Sequence, residues 1–235
     1  MIISVCIPAK NRTPELSRTM KYLIPAANAS PPVEIMVLDY NSTDGLPKYI
    51  ESLKNQKCIF KASLIPENTL SYAKYTGREY YHLAHSFNLA AKASVGEYLV
   101  MCGTERNFPL DFFVRVRKAI KKGAIWIRVQ HDDWGMLVIQ RKEFMDAGGY
   151  DERFELYGGE DKDIMARLRR RKVKRKRIYR KRIGRERTPN KKKIMYYNSN
   201  MTKHEMIMHN AAIREENTRN NVLVANEGKE WGSWT

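Results

Sequence analysis

The chain has 235 residues, of which 43% are hydrophobic, enough to bury the core of one large domain. It contains no run of about 18 uncharged apolar residues and no basic segment ahead of an apolar start, so we expect neither a transmembrane segment nor a signal peptide, and we predict a cytoplasmic protein. Cys6, Cys58 and Cys102 lie in apolar runs without metal-ligand spacing, which argues against a zinc site and a disulfide framework.

The net charge of +17 comes almost entirely from one segment of the chain. Residues 167–193 hold 17 of the 43 lysines and arginines and one of the 26 acidic residues, so the rest of the chain is nearly neutral. Such a block suits a polyanion, whether nucleic acid, a phospholipid surface or an anionic polysaccharide. A solvated basic hairpin without a partner is the alternative.

Apolar runs and helical periodicity predict an alternating order of elements along the chain. Thr13 is the predicted N-cap of the first helix, and Pro25 is expected to kink or end it. The predicted strands cover 2–7, 33–39, 58–65, 96–102, 124–129 and 135–140. The predicted helices begin at 13, 46, 79 and about 110, with short helices before Gly148 and from Glu160, and a final helix at 203–219.

Strands that are apolar throughout, separated by helices, indicate an α/β fold with a mostly parallel sheet covered on both faces. Ligands of such sheets bind beyond the carboxyl ends of the strands. Polar clusters fall at four such places, which predicts a cleft there: 10–12, 39–44, 103–105 and the residues before Glu160.

The residue types in these clusters suit an anionic ligand. Lys10 and Arg12 can bind phosphates, and Asp39 can accept hydrogen bonds from a base or ribose. Glu105 offers a hard oxygen ligand to Mg²⁺ or Mn²⁺. His204 and His209 could also bind a divalent ion, although a structural or surface role is more common for a single histidine.

The segment "YGGEDKD", residues 157–163, is the most informative. Gly158 and Gly159 can adopt positive φ and admit a ligand close to the backbone. Three carboxyls follow on the first turn of a helix, at Glu160, Asp161 and Asp163. Helix-dipole stabilisation is one explanation. Mutual repulsion, which raises a carboxyl pKa towards that of a general base, is the other.

Taken together, these stretches resemble the GT-A glycosyltransferases of the family 2 type, with a C-terminal half similar to that of the β-1,4-galactosyltransferases. The motifs that carry the resemblance span roughly residues 2–170: "IPAKNR", "VLDYNSTDG", "HSFNLAAKASVGEYLVMCGTERNFP" and above all "GMLVIQRKEFMDAGGYDERFELYGGEDKDIMARL". The resemblance implies a GT-A (Rossmann-like) mostly parallel sheet with helices on both faces, plus a C-terminal subregion that binds acceptor and metal.

The resemblance also implies an inverting transfer of a sugar from a nucleotide diphosphate donor, with a UDP-sugar favoured, to a glycan or other hydroxyl acceptor. Mn²⁺ or Mg²⁺ would be the cofactor. Asp161 would be the general base, supported by Glu160. The other implied positions are Pro8, Ala9, Lys10, Arg12 and Asp39 for the nucleotide; Trp134, Gly135, Tyr157, Gly159 and Asp163 for the acceptor; and Glu105, Met206 and His209 for the metal.

One departure from the family pattern concerns the metal. The usual Asp-x-Asp motif is here Gly103-Thr104-Glu105, so the first acid is missing. Glu105 could pair with Arg106 or Lys10 instead of a metal, and His204 is an alternative ligand to His209.

The resemblance divides the chain into four regions: 1–108 binds the nucleotide-sugar, 109–170 the acceptor and the catalytic groups, 171–200 is basic, and 201–235 closes the site. The basic run borders the expected acceptor side, so a polyanion or a membrane surface is an expected partner through residues 167–193. Two alternatives remain: a GT-A-like binder without turnover, and a nucleic-acid-binding protein that uses residues 167–193. The size and the absence of a readable anchor suit a viral enzyme.

Overall fold

The structure, a computed structural model, describes residues 1–54, 66–129, 135–179, 184 and 188–234. The strands are β1 (Ile3–Ala9), β2 (Val33–Tyr40), β3 (Thr69–Tyr75), β4 (Tyr98–Cys102), β5 (Trp126–Arg128), β6 (Met136–Gln140) and β7 (Arg175–Arg177). The helices are α1 (Thr13–Asn28), α2 (Leu46–Lys54), α3 (Leu83–Ala93), α4 (Phe112–Lys121), α5 (Arg141–Asp146), α6 (Glu160–Arg170), α7 (Asn190–Ile194) and α8 (Lys203–Arg219).

The strands form one sheet in the order β3-β2-β1-β4-β6-β5-β7. β1 pairs in parallel with β2 and β4, and β2 pairs in parallel with β3. β6 is antiparallel to both β4 and β5, and β7 extends the edge in parallel with β5. The predicted α/β class with a mostly parallel sheet is therefore confirmed, with β6 as the antiparallel element.

Both faces of the sheet are covered by helices, as predicted. β1 is buried along its whole length, and its residues alternate between two apolar clusters. Ile7 packs in the cluster that includes Leu16 of α1, while Cys6 lies in the one that includes Ala90 of α3. Because residues two apart in a strand share a face, the continuous apolar run supplies both layers.

Two local predictions differ from the structure, and a third falls outside the described residues. Pro25 does not end α1, which continues to Asn28, and the N-cap of that helix is Arg12 rather than Thr13. The third strand lies at Thr69–Tyr75, whereas the strand predicted at 58–65 lies outside the described residues. In the described part of the chain no helix has the length and apolar character needed to cross a membrane.

Candidate active site

A cavity of about 380 Å³ opens where β1 and β4 end and α6 begins. We call it the central cavity. Its walls come from widely separated parts of the chain, because the parallel strands bring their carboxyl ends to one edge. Pro8, the residues from Gly103 to Arg106, Gly135 and the residues from Tyr157 to Lys162 line it. The predicted cleft is therefore present, and five of the predicted acceptor and catalytic positions meet there: Gly135, Tyr157, Gly159, Glu160 and Asp161.

The two glycines before α6 shape one wall of this cavity. Gly158 and Gly159 have φ of +86° and +101°, a region that residues with a side chain rarely adopt. A Cβ on Gly159 would lie 3.2 Å from the Phe154 ring, and one on Gly158 would lie 3.2 Å from Ile207. Glycine therefore serves both the turn and the close packing that start α6 at Glu160.

Glu160 and Asp161 place two neighbouring carboxyls in the wall. Glu160 is 6% exposed, and its Oε2 atom has no hydrogen-bond partner among the described residues. Burial, followed by the charge of Asp161, raises the pKa of Glu160 to about 8. Asp161 is half-buried and accepts a hydrogen bond of 2.7 Å from the Lys162 backbone N–H. One carboxyl is therefore positioned to be neutral near pH 7 beside another on the same turn.

Asp163, expected to hold the acceptor, points elsewhere. It is 1% exposed and is absent from the cavity wall. Its Oδ2 atom accepts a hydrogen bond of 2.7 Å from Arg167 Nε, and its Oδ1 atom accepts one of 2.9 Å from Asn217. Asp163 therefore joins α6 to α8 inside the protein, because a buried arginine requires a partner charge.

The residues expected to bind the nucleotide divide into two groups. Lys10 and Arg12 line the central cavity with Pro8. Lys10 donates hydrogen bonds of 3.2 Å to the carbonyls of Tyr40 and Asn41, and burial lowers its pKa. Ala9 and Asp39 are buried and do not line the cavity.

Asp39 organises the loop after β2. Its Oδ1 atom accepts a hydrogen bond of 2.7 Å from the Ser42 backbone, and its Oδ2 atom accepts one of 2.8 Å from the Tyr72 hydroxyl. Both carboxylate oxygens therefore have partners within the protein. Each oxygen can accept a second hydrogen bond, but Asp39 is fully buried, so a base could contact it only after neighbouring groups move.

A segment that begins within the end of the basic run forms part of the cavity wall. This strap (residues 188–197) contains α7, and Lys193, Tyr196 and Tyr197 line the cavity wall. Lys193 Nζ lies 3.4 Å from Glu105 Oε2, so Glu105 has a cationic partner that the sequence did not suggest. The strap thereby contributes positive charge to the loop that follows β4.

Aromatic rings form a further wall. Tyr197 packs edge-on against Tyr81 and Tyr157, with centroid distances of 5.6 and 6.2 Å. Lys203 Nζ lies 5.2 Å from the centre of the Tyr157 ring. Such rings, with polar groups beside them, suit the apolar faces and hydroxyls of a sugar.

Of the three residues that the resemblance assigns to a metal, one lines the cavity. Glu105 lines the cavity, whereas Met206 is buried and His209 is exposed, and neither belongs to the wall. Across the described ranges there is no group of three or more His, Cys, Asp or Glu side chains that could hold a metal ion. Among the described residues, Glu105 is thus the one predicted metal ligand that lines the cavity.

Part of the basic run is used inside the protein. Five of its cations bind acidic side chains or a carbonyl: Arg167 with Asp163, Arg170 with the Val222 carbonyl, Arg171 with Glu143, Lys192 with Glu15 and Lys193 with Glu105. β7 remains exposed along its three basic residues. Binding of a polyanion to this run therefore stays a prediction, with fewer cations available than the sequence suggested.

Sequence reasoning missed the strap and the basic residues of α8, Lys203 and Arg214, that line the cavity. One available signal was the pair Tyr196-Tyr197 at the end of a charged run, since two adjacent aromatics favour burial. A separate signal concerned Asp163. It lies four residues before Arg167 on one helix, a spacing that predicts an ion pair between them. Trp134, expected near the sugar, lies outside the described residues.

Comparison with known proteins gives one family match and several structural ones. Residues 132–204 match the family model described as the N-terminal domain of galactosyltransferase. No curated protein matches the sequence significantly. The crystal structure of S. aureus TarS in complex with UDP-GlcNAc has a TM-score of 0.67 and is 13% identical, with 95% of this chain and 70% of that one covered.

Two further structures are similar. The mannosyltransferase PcManGT from Pyrobaculum calidifontis, in complex with GDP-Man and Mn²⁺, has a TM-score of 0.59 and 16% identity over 74% of this chain. This chain spans only 53% of that protein's length. A mutant of Drosophila β1,4-galactosyltransferase 7 with manganese, UDP-Gal and xylobiose has a TM-score of 0.53 and 13% identity, covering 87% of this chain and 77% of that one. The chain thus has the GT-A fold of these glycosyltransferases.

Proposed function

We propose that this protein of GT-A fold is an inverting glycosyltransferase. It would move a sugar from a nucleotide diphosphate donor, with a UDP-sugar favoured, to a hydroxyl acceptor. The observation that carries the proposal is the pair Glu160 and Asp161, set in one cavity with seven cationic side chains and an aromatic wall. The similar structures with UDP-GlcNAc, GDP-Man and UDP-Gal support the same chemistry.

In this reaction Asp161 is the general base. Its carboxylate takes the proton of the acceptor hydroxyl as that oxygen forms a bond to the anomeric carbon. The bond from the anomeric carbon to the diphosphate breaks on the opposite face, and its electron pair leaves with the phosphate oxygen. A single displacement of this kind inverts the anomeric centre.

Glu160 would act as a hydrogen-bond donor. With its pKa raised to about 8, its carboxyl carries a proton near pH 7 and can donate to a substrate hydroxyl. The cationic side chains stabilise the charge that develops on the leaving diphosphate, which costs little reorganisation because they are already in place. These cations are Lys10, Arg12, Arg106, Lys162, Lys193, Lys203 and Arg214.

Replacement of Asp161 by Asn tests the assignment without knowledge of the acceptor, because water can serve as a slow acceptor. Release of UDP from a panel of UDP-sugars is measured for the wild type and for Asp161→Asn. We expect the variant to lose about 100-fold or more of this hydrolysis while its UDP affinity stays within about threefold. Equal hydrolysis in both proteins would reject Asp161 as the base.

The exposed Glu155 provides a matched control for loss of one negative charge near α6. Glu155→Gln should keep both the hydrolysis rate and the UDP affinity of the wild type, since its side chain does not line the cavity. A loss of hydrolysis in this control as well would point to an electrostatic effect rather than to proton transfer.

A further inference from the structure

We propose that Lys193 supplies the positive charge that neutralises the donor's diphosphate, so that the nucleotide binds without a divalent metal ion. This inference rests on the proposed function, because it concerns the same donor site. It assigns the strap (residues 188–197) a direct part in ligand binding.

Hydrogen bonds to other parts of the chain hold the strap on both sides of Lys193. Before it, Lys192 Nζ donates to Glu15 Oε1, and the carbonyl of Lys192 accepts a hydrogen bond from Arg12. After it, the carbonyl of Tyr196 accepts a hydrogen bond of 2.8 Å from the Tyr81 backbone N–H. The position of Lys193 is therefore set by contacts with α1 and with the residues before α3.

Lys193 lies beside the segment Gly103-Thr104-Glu105, which replaces the expected Asp-x-Asp motif. Its Nζ atom is 3.4 Å from Glu105 Oε2, and its side chain is 13% exposed. Gly103 stands in place of the first acid, and a Cβ there would meet no atom within 4 Å. One carboxylate and one ammonium thus face the cavity at the site where the family pattern has two carboxylates.

The Lys193 ammonium has more hydrogen-bond donors than its contact with Glu105 needs. A lysine carries three N–H groups, so one can bind Glu105 while the others remain for phosphate oxygens. Glu105 then serves as a positioning residue, which holds Lys193 at the cavity wall. Lys193 is a point charge, as is common for lysines that bind phosphate.

The surrounding charge favours the same assignment. Seven cationic side chains line the cavity against three carboxyls, those of Glu105, Glu160 and Asp161. A diphosphate would enter a wall that already carries excess positive charge. A metal bound with the diphosphate would instead use one or two carboxylates, and Glu105, the carboxylate beside the missing acid, is already paired with the Lys193 ammonium.

The test is a calorimetric titration with UDP and with GDP, in EDTA and again with Mn²⁺, on the wild type, Lys193→Met and Lys191→Met. Lys191 lies on the same helix, is exposed and does not line the cavity, so its variant controls for net charge. Circular dichroism and thermal unfolding establish that each variant is folded.

We expect the wild type to bind one nucleotide with affinities in EDTA and Mn²⁺ that agree within about threefold. Lys193→Met should weaken that binding by about 10- to 100-fold in EDTA, the loss typical of a hydrogen bond to a charged group. Lys191→Met should bind like the wild type.

Two results overturn the inference and leave the proposed function intact: nucleotide binding that requires Mn²⁺, or equal binding by Lys193→Met and Lys191→Met. If neither nucleotide binds the folded wild type with or without Mn²⁺, the proposed function fails, and this inference fails with it.

Discussion

Replacement of Glu160 by Gln should stabilise the protein in a way that depends on pH. The side chain is 6% exposed, and one carboxylate oxygen lacks a hydrogen-bond partner among the described residues. Burial comes first among the causes that raise its pKa from 4.5 to about 8, followed by the charge of Asp161. Glutamine keeps the shape of the protonated carboxyl but cannot ionise.

The sign follows from proton binding. Between pH 4.5 and about 8 the folded protein keeps the Glu160 proton, whereas the unfolded chain has released it. The free energy of unfolding therefore falls as pH rises in this window, by up to about 1.4 kcal/mol for each pH unit. The free energy of unfolding of Glu160→Gln does not fall in this way. The difference in that free energy between the variant and the wild type therefore grows from near zero at pH 4.5 and levels off above pH 8.

Urea unfolding of the two proteins at pH 5, 6, 7, 8 and 9 measures the difference directly. Exposed Glu155→Gln is the control for removal of a carboxylate, and its difference from the wild type should show no comparable growth. If the difference in the free energy of unfolding between Glu160→Gln and the wild type stays constant from pH 5 to 8, Glu160 is not protonated in the folded protein in this range.

Three other substitutions test the framework of the site. Arg167→Met should cost about 3–5 kcal/mol in urea unfolding, because it leaves the buried carboxylate of Asp163 unpaired; a loss below about 1 kcal/mol would contradict this pairing. Gly159→Ala should cost about 1–3 kcal/mol by thermal unfolding, since φ is +101° and the Cβ meets Phe154 at 3.2 Å; unchanged stability would argue against that turn. Gly103→Asp should weaken UDP binding in EDTA by about 10-fold and regain it in Mn²⁺, unlike Gly103→Asn; identical titrations of the two variants would refute the role of charge at this place.

Much of the fold was predictable because local signals agreed with the final packing. β1 and β2 are mostly apolar runs that are buried in full, as a central strand requires. α8 runs from Lys203 to Arg219, as predicted, and starts at a capping box between Thr202 and Glu205. β3 was missed because its apolar residues alternate with polar ones, and the strand remains partly exposed at the sheet edge.

The candidate site was predictable only where its residues follow strands or open a helix. Lys10, Glu105 and Asp161 lie at such positions, and all three line the cavity. Lys193 was missed because a charged run is typical of solvated surface, and nothing local shows that a strap folds back on Glu105. Asp163 was assigned to the acceptor by resemblance, whereas its i,i+4 partner Arg167 holds it in the interior.

The central claim is that the cavity binds a nucleotide through its diphosphate. Equilibrium titration of the wild type with UDP, GDP and the uncharged nucleosides uridine and guanosine tests it most directly. We expect one diphosphate to bind at least about 10-fold more tightly than its nucleoside, because the cationic wall recognises the phosphates. Equal affinity for a diphosphate and its nucleoside, or no binding of any of the four, would contradict it.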